Sequence, residues 1–137
     1  MSLTSLERAK QQYLAQQVTS ASPERLLTML YDRLLVDVDR AAVAQDATDW
    51  TAAGGHLTHA QQIIAELRGS LTDAWEGAGD LRALYTYLTG RLISANIARD
   101  QAATAECRAL IAPLRDAWHQ AAAATSGAAP VPSSALA

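Results

Sequence analysis

Residues 22–45 read SPERLLTMLYDRLLVDVDRAAVAQ and carry both a helix start and a helical stripe of apolar side chains. Ser22 suits the cap of a first turn, Pro23 suits the first helical position, and Glu24 lies at the positive end of the helix dipole. Apolar residues then recur at alternating steps of four and three, at Leu27, Tyr31, Leu34, Val38 and Ala41. We therefore predict a helix over 23–45 that buries this face against a partner.

The same spacing of apolar residues returns three more times along the chain. It predicts helices over 50–71, 81–98 and 101–122. Asp49 and Asp80 lie where the second and third helices would need an N-cap, and the fourth helix is expected to begin at Asp100. Four helices of similar length with short connections are typical of an all-α, antiparallel up-and-down four-helix bundle, here expected over 22–122.

The flanking segments and one proline depart from this pattern. Residues 1–21 contain a weaker amphipathic stretch, which predicts a partly helical N-terminal arm. Residues 123–137 are rich in Ala, Ser, Gly and Pro, which predicts a disordered tail. Pro113 lies inside the fourth apolar pattern, and because that pattern continues beyond it, we expect one kinked helix there.

Composition excludes several classes of protein. The 137 residues suit one domain, and 11 Lys and Arg against 14 Asp and Glu give a net charge of -3, which disfavours nucleic acid as a partner. No run of apolar residues is long enough for membrane insertion, and no secretory signal is recognisable at the N-terminus. The single cysteine, Cys107, has no partner for an internal disulfide. We therefore expect a cytoplasmic protein.

The search for reactive chemistry finds little. His56 and His59 are three residues apart, but the Glu-x-x-His pairs of di-iron bundles are missing, so we expect no metal. Cys107 falls on the apolar stripe of the fourth helix, where a free cysteine usually acts as a small hydrophobe. No Gly-rich phosphate loop or Gly-x-Ser-x-Gly motif occurs. The sequence thus predicts no cofactor and no enzymatic activity.

Several apolar residues lie beside the four stripes rather than on them. They are Met29, Val36, Val43, Ile63, Leu84, Tyr87, Ile111 and Trp118. One interpretation is that the helices bury a face wider than a narrow seam. The other is a groove for an amphipathic partner helix, and periodicity leaves both open.

Three blocks of sequence resemble the flagellin export chaperone family, FliS. They are residues 18–32 (VTSASPERLLTMLYD), 60–67 (AQQIIAEL) and 80–88 (DLRALYTYL), the last followed by Arg91 and Asn96. Tyr13 takes the place of the family's upstream tyrosine. Ser20, where the family usually has threonine, Gly90 and Pro113 are departures from its pattern.

The resemblance implies a cytosolic four-helix bundle that binds the C-terminal segment of flagellin. In the family such binding prevents premature polymerisation and delivers flagellin to the flagellar type III export apparatus. The implied partners are flagellin, components of the export apparatus, and a regulator or co-chaperone. The N-terminal arm is also implied to lie over the substrate groove in the free protein. Two alternatives stay open: a bundle that homo-oligomerises through its extra apolar face, and a metal-dependent bundle enzyme.

The extra apolar positions and the resemblance together give the candidate site residues. The flagellin-binding groove is expected at Tyr13, Val18, Leu26, Met29, Leu30, Val36, Ile63, Ile64, Leu67, Leu84, Tyr87, Arg91, Ile111 and Trp118. Structural signature residues are Ser22, Pro23, Glu24, Tyr31, Asp32, Tyr85 and Asn96. Asp32 and Arg91 are expected to pair with each other or to cap backbone groups.

Overall fold

The computed structural model describes residues 5, 7–9 and 22–127, and this part of the chain forms a four-helix bundle. The helices are α1 (Pro23–Asp46), α2 (Trp50–Gly69), α3 (Ala78–Ile97) and α4 (Gln101–Gly127). Each helix packs against the next along the chain, and α4 returns to pack on α1. This confirms the predicted all-α fold. Ser5 and residues 7–9 are helical, and the rest of the expected arm and of the expected tail lies outside the described residues.

Two of the three predicted capping residues cap the helices assigned to them, and Asp100, where the fourth helix was expected to begin, caps α4. Ser22 Oγ accepts from the Arg25 N–H, and the carboxylates of Asp49 and Asp100 accept from backbone N–H groups three residues further on. The prediction for Asp80 is wrong. Helix α3 begins at Ala78 after Gly77, without a side-chain cap, so Asp80 lies in its first turn.

The last helix is longer than expected. The tail was predicted to begin at residue 123, but α4 continues to Gly127. The reason is local, because residues 121–124 are all alanine, the best helix former. Pro113 lies inside α4 without dividing it, as predicted.

The core contains the predicted stripes, with fully buried large side chains from all four helices. Among these are Tyr31, Leu34, Leu57, Ile64, Leu88, Leu92 and Ile111. Small residues allow the helices to approach closely, since Ala41, Ala60 and Ala95 are completely buried. Burial of these stripes supplies the stability that helices of this length lack on their own.

A ladder of polar contacts joins α1 to α4 at intervals of seven residues. Asp32 accepts from Arg115 at 2.7 Å, and one heptad further along α1, Asp39 accepts from Arg108 at 2.6 Å. The third rung joins the Gln101 amide to Asp46 at 3.4 Å. The two helices run in opposite directions, so sliding either one by a turn would break every rung. The ladder therefore fixes their register.

Candidate binding site

An apolar cavity of about 820 Å³ lies at the end of the bundle where α1 and α3 begin and α2 and α4 end. Its apolar walls come from all four helices and from the α2–α3 connection. They are Leu26, Leu27 and Leu30 of α1, Leu67 and Leu71 at the end of α2, Trp75, Leu81 and Tyr85, and Trp118, Ala121 and Ala122 of α4. Because helix ends converge here without a short turn to close them, apolar surface stays open.

Aromatic side chains form a connected cluster at the cavity. The hydroxyls of Tyr31 and Tyr85 lie 2.7 Å apart, and burial raises the pKa of both groups. The Trp118 ring lies 6.3 Å from the Tyr31 ring and 6.2 Å from the Trp75 ring, between centroids. Tilted aromatic contacts of this kind stabilise a packed cluster. The cavity thus has a rigid aromatic wall.

The connection between α2 and α3, residues 70–77, brings Trp75 to the cavity. Trp75 folds back over Gly77, where an added Cβ would lie only 2.6 Å from the indole ring. An ion pair of 3.0 Å between Arg82 and Asp73 ties the connection to α3. Trp75 nevertheless keeps 49% of its surface exposed. It therefore forms a partly open edge of the cavity.

Two carboxylates lie among the lining residues, Glu24 at the start of α1 and Glu66 near the end of α2. Both side chains are exposed. Among the described residues, none that lines the cavity is Lys, Arg or His. The border of the apolar cavity is therefore negatively charged.

Among the described residues, Asp32 and Arg91 neither pair with each other nor cap backbone groups, so that prediction is wrong. Each bonds to α4 instead. Asp32 accepts from Arg115 and His119, both at 2.7 Å, and Arg91 donates to Glu106 at 2.7 Å. Partial burial acts to raise the pKa of Asp32, but the hydrogen bonds from His119 and Arg115 outweigh it and hold the pKa below its ordinary value.

A second polar group lies on the outer surface between α3 and α4. The Tyr87 hydroxyl and the Arg91 guanidinium both donate to Glu106. Hydrogen bonds from Tyr87 and then from Arg91 lower the pKa of Glu106. Tyr87 is 47% exposed, so this group presents an aromatic ring to solvent beside an ion pair.

The structure divides the predicted groove residues into separate groups. Leu26, Leu30, Leu67 and Trp118 meet at the cavity, together with the signature residues Pro23, Glu24 and Tyr85. Met29 and Val36 are exposed at 42% and 39% but do not line it, and neither do Leu84, Tyr87 and Arg91. Tyr13 and Val18 lie outside the described residues.

Three predicted groove residues belong to the interior instead. Ile64 and Ile111 are 0% exposed and Ile63 is 6% exposed, all within the main core. The extra apolar position on α2 and one of the two on α4 therefore reflect a wide buried face. For these residues the prediction of a groove surface is corrected.

Several cavity residues escaped the sequence analysis. Leu27 belongs to the apolar stripe predicted for the first helix, Leu81 is the first residue of the helix predicted over 81–98, and Trp75 lies in the segment before that helix. A tryptophan in a Gly-rich connection was the available signal, since a large apolar side chain there needs a surface to cover. Ala121 and Ala122 carried no such signal.

The residues examined for reactive chemistry have structural surroundings. Cys107 is buried in the core, and burial raises its pKa to about 11. His59 contacts the buried carboxylate of Asp37, and His56 is partly exposed on the same helix. Within residues 5, 7–9 and 22–127, no three His, Cys, Asp or Glu side chains are grouped so as to hold a metal ion. In that same part of the chain, no helix is long and apolar enough to cross a membrane.

A helical bundle with an apolar cavity open at one end has a geometry that suits an apolar or amphipathic ligand, such as a segment of another polypeptide. The model of the family described as flagellar protein FliS matches residues 6–125. The chain is a member of the FliS family of flagellar secretion chaperones.

Named relatives and a solved structure agree with this assignment. The chain is 36% identical over 109 residues to the flagellar secretion chaperone FliS of Bacillus subtilis, covering 80% of this chain and 82% of that protein. It is 37% identical over 106 residues to FliS of Escherichia coli, covering 75% and 78%. A crystal structure of a bacterial flagellar chaperone matches with a TM-score of 0.67 at 15% identity, over 84% of this chain and 95% of the other, and so shows the same fold.

Proposed function

We propose that the chain binds the C-terminal segment of flagellin in the end cavity, prevents its premature polymerisation, and delivers it to the flagellar type III export apparatus. The observation that carries this proposal is the apolar cavity of about 820 Å³, whose wall includes the family signature residues Pro23, Glu24 and Tyr85. Membership of a secretion chaperone family supports an export substrate as the ligand.

The shape and chemistry of the cavity suit a flexible polypeptide. A segment that is disordered when free must lose conformational entropy on binding, and burial of its apolar side chains offsets that loss. Leu26, Leu30 and Trp118 supply such a surface on two facing helices. Binding by burial requires no catalysis and no cofactor.

The N-terminal arm is proposed to cover the cavity in the free protein. The arm joins the bundle at Ser22, next to Pro23 and Glu24 in the cavity wall. Tyr13 and Val18 are the arm residues proposed to contact surface that flagellin later occupies. Replacing Tyr13 with alanine should change flagellin affinity and leave the melting temperature nearly unchanged. Calorimetry that finds unaltered affinity would remove the arm from the mechanism.

Other exposed or partly exposed positions are proposed as contacts for cargo that extends beyond the cavity. They are Met29 and Val36 on α1 and Leu84, Tyr87 and Arg91 on α3. The exposed apolar surface of Met29 and Tyr87, at 42% and 47%, supports this role. A long export substrate can then contact the bundle at several places.

Further partners and the location follow from the same role. Delivery requires contact with components of the export apparatus, and we include a regulator or co-chaperone as an additional partner. A chaperone of secretion meets its cargo before export, which places the proposed role in the bacterial cytosol.

The test is to mix the purified chain with the C-terminal third of flagellin from the same cell. We expect a complex of roughly one-to-one stoichiometry by size exclusion with light scattering. Two separate peaks at concentrations of about 10 μM would contradict the proposal. A measured particle mass that rises with protein concentration and does not change when flagellin is added would favour the homo-oligomer instead.

A further inference from the structure

The geometry points to a charge preference in the end cavity: Glu24 and Glu66 select an apolar segment that carries a Lys or Arg beside its apolar residues. This inference rests on the proposed function, because it concerns the cargo of the same cavity. Such a preference would distinguish one apolar segment from another, whereas hydrophobic burial alone does not.

The first step is that neither carboxylate forms an ion pair in the part of the chain that the structure describes. Within residues 22–127, neither Glu24 nor Glu66 takes part in an ion pair. Other acidic residues of the bundle do, as Asp32, Asp39 and Glu106 show. Carboxylates without an ion pair among the described residues are available to an incoming partner.

The second step is their position at an apolar surface. Glu24 and Glu66 line the same cavity from α1 and α2, and the other lining residues that the structure describes are uncharged. Charges beside a wall of low polarizability are screened less than charges surrounded by water. Once an apolar segment has displaced water from the cavity, a cation on that segment gains attraction, whereas a carboxylate there meets repulsion.

The third step is that the chain's own arm has the chemistry expected of an occupant. The arm places Arg8 and Lys10 shortly before Tyr13 and Leu14. If the arm and the cargo use one cavity in turn, the same carboxylates serve both. A basic residue next to apolar residues is therefore the shared feature.

The experiment measures how tightly the full chain binds the C-terminal third of flagellin, at about 0.05 M and about 0.5 M salt. The variant is Glu24→Gln with Glu66→Gln, which keeps shape and hydrogen-bonding capacity. The matched control is Asp46→Asn, an exposed acid at the opposite end of the bundle. Circular dichroism checks that all variants stay folded.

We expect the double variant to bind about fivefold more weakly at low salt and like the wild type at high salt. Asp46→Asn should stay within about twofold of the wild type. Replacing the Lys and Arg of the bound flagellin segment by Gln should reduce affinity for the wild-type chain by the same factor. The double variant should bind this changed fragment no more weakly than it binds the original one.

Failures of the two proposals can be told apart. If wild-type chain binds the fragment but the double variant binds equally well at low salt, the charge preference is wrong and the binding cavity stands. If the control loses as much affinity as the double variant, the effect is one of net charge and the preference is again wrong. If wild-type chain does not bind the fragment, the proposed function itself fails.

Discussion

The two ends of the bundle are built in contrasting ways. At one end, the short turns 47–49 and 98–100 close the helices, and each turn contains a residue with positive φ, Thr48 at 55° and Arg99 at 54°. Asp49 and Asp100 cap the helices that follow these turns. At the other end the connection 70–77 is longer, and apolar side chains surround a cavity.

The two ends also differ in the side chains that they leave at the surface. At the closed end, Arg99 stacks 5.0 Å from the Trp50 ring, so even an exposed cation has a local contact. At the open end, Trp75 is half exposed and Glu24 and Glu66 have no ion pair within residues 22–127. This contrast supports the open end, rather than the closed end, as the proposed binding surface.

The largest expected effect comes from replacing one tryptophan by alanine at each end of the bundle and comparing the two variants. Trp118→Ala should weaken binding of the flagellin C-terminal fragment by about 30-fold, because a central aromatic wall is lost. Trp50→Ala, at the closed end, should leave affinity within about twofold. Calorimetry at a temperature where both variants are folded measures this difference. Equal losses in the two variants would remove the distinction between the ends.

The next effect concerns the cap at the closed end. Asp100→Ala should lower the free energy of unfolding by about 1 kcal/mol, because the Ala103 N–H loses its acceptor. Asp80→Ala should cost only about 0.3 kcal/mol, since Asp80 has a favourable position near the helix dipole but caps nothing. Urea unfolding compares the two, and an equal cost would show that α3 depends on Asp80 as α4 does on Asp100.

A smaller effect tests the Trp75 edge of the cavity. Gly77→Ala adds a Cβ that the Trp75 ring must avoid, so we expect about threefold weaker flagellin binding and a shift in tryptophan fluorescence. The control is Gly79→Ala, where an added Cβ meets nothing within 4 Å. That variant should bind normally and be more stable by about 0.5 kcal/mol. Normal binding by Gly77→Ala would exclude Trp75 as a cargo contact.

The smallest effect is the pH dependence of the α1–α4 ladder. The pKa of Asp32 is below its ordinary value of 3.8 in the folded protein, so its bonds stabilise the fold above that pH. This stability is lost as the pH falls through the lower folded value. Because the side chain is 42% exposed, we expect only about 0.5 kcal/mol. Between about pH 5 and pH 3, the free energy of unfolding should decrease more steeply for the wild type than for Asp32→Asn. An equal decrease in the two proteins would contradict this role of Asp32.

Local chemistry allowed much of the fold to be predicted from sequence. Ser22, Asp49 and Asp100 mark helix starts through bonds to their own neighbours, so sequence spacing is sufficient. The prediction of Asp80 as an N-cap failed because α3 begins at Ala78, after Gly77, three residues before the predicted start at residue 81. The end of α4 was predicted too early, because the composition after residue 122 indicated a tail, whereas the helix propensity of alanines 121–124 extends the helix.

The candidate site was less predictable because it forms where four helices meet. Periodicity along one helix identifies an apolar face but not whether another helix covers it. Ile64 and Leu67 illustrate this on α2: both are buried, yet only Leu67, one turn closer to the helix end, lines the cavity. The ion pairs that Asp32 and Arg91 form with α4 were also unpredictable, because they depend on how the helices are placed in the bundle.

The most direct test of the central claim is hydrogen exchange of the chain with and without the C-terminal third of flagellin. The account predicts slower exchange on binding in residues 24–30, 67–77 and 118–122, which surround the cavity. Exchange in residues 45–50 and 98–101, at the closed end, should not change. Slower exchange confined to the closed end, with the cavity residues unaffected, would contradict the account.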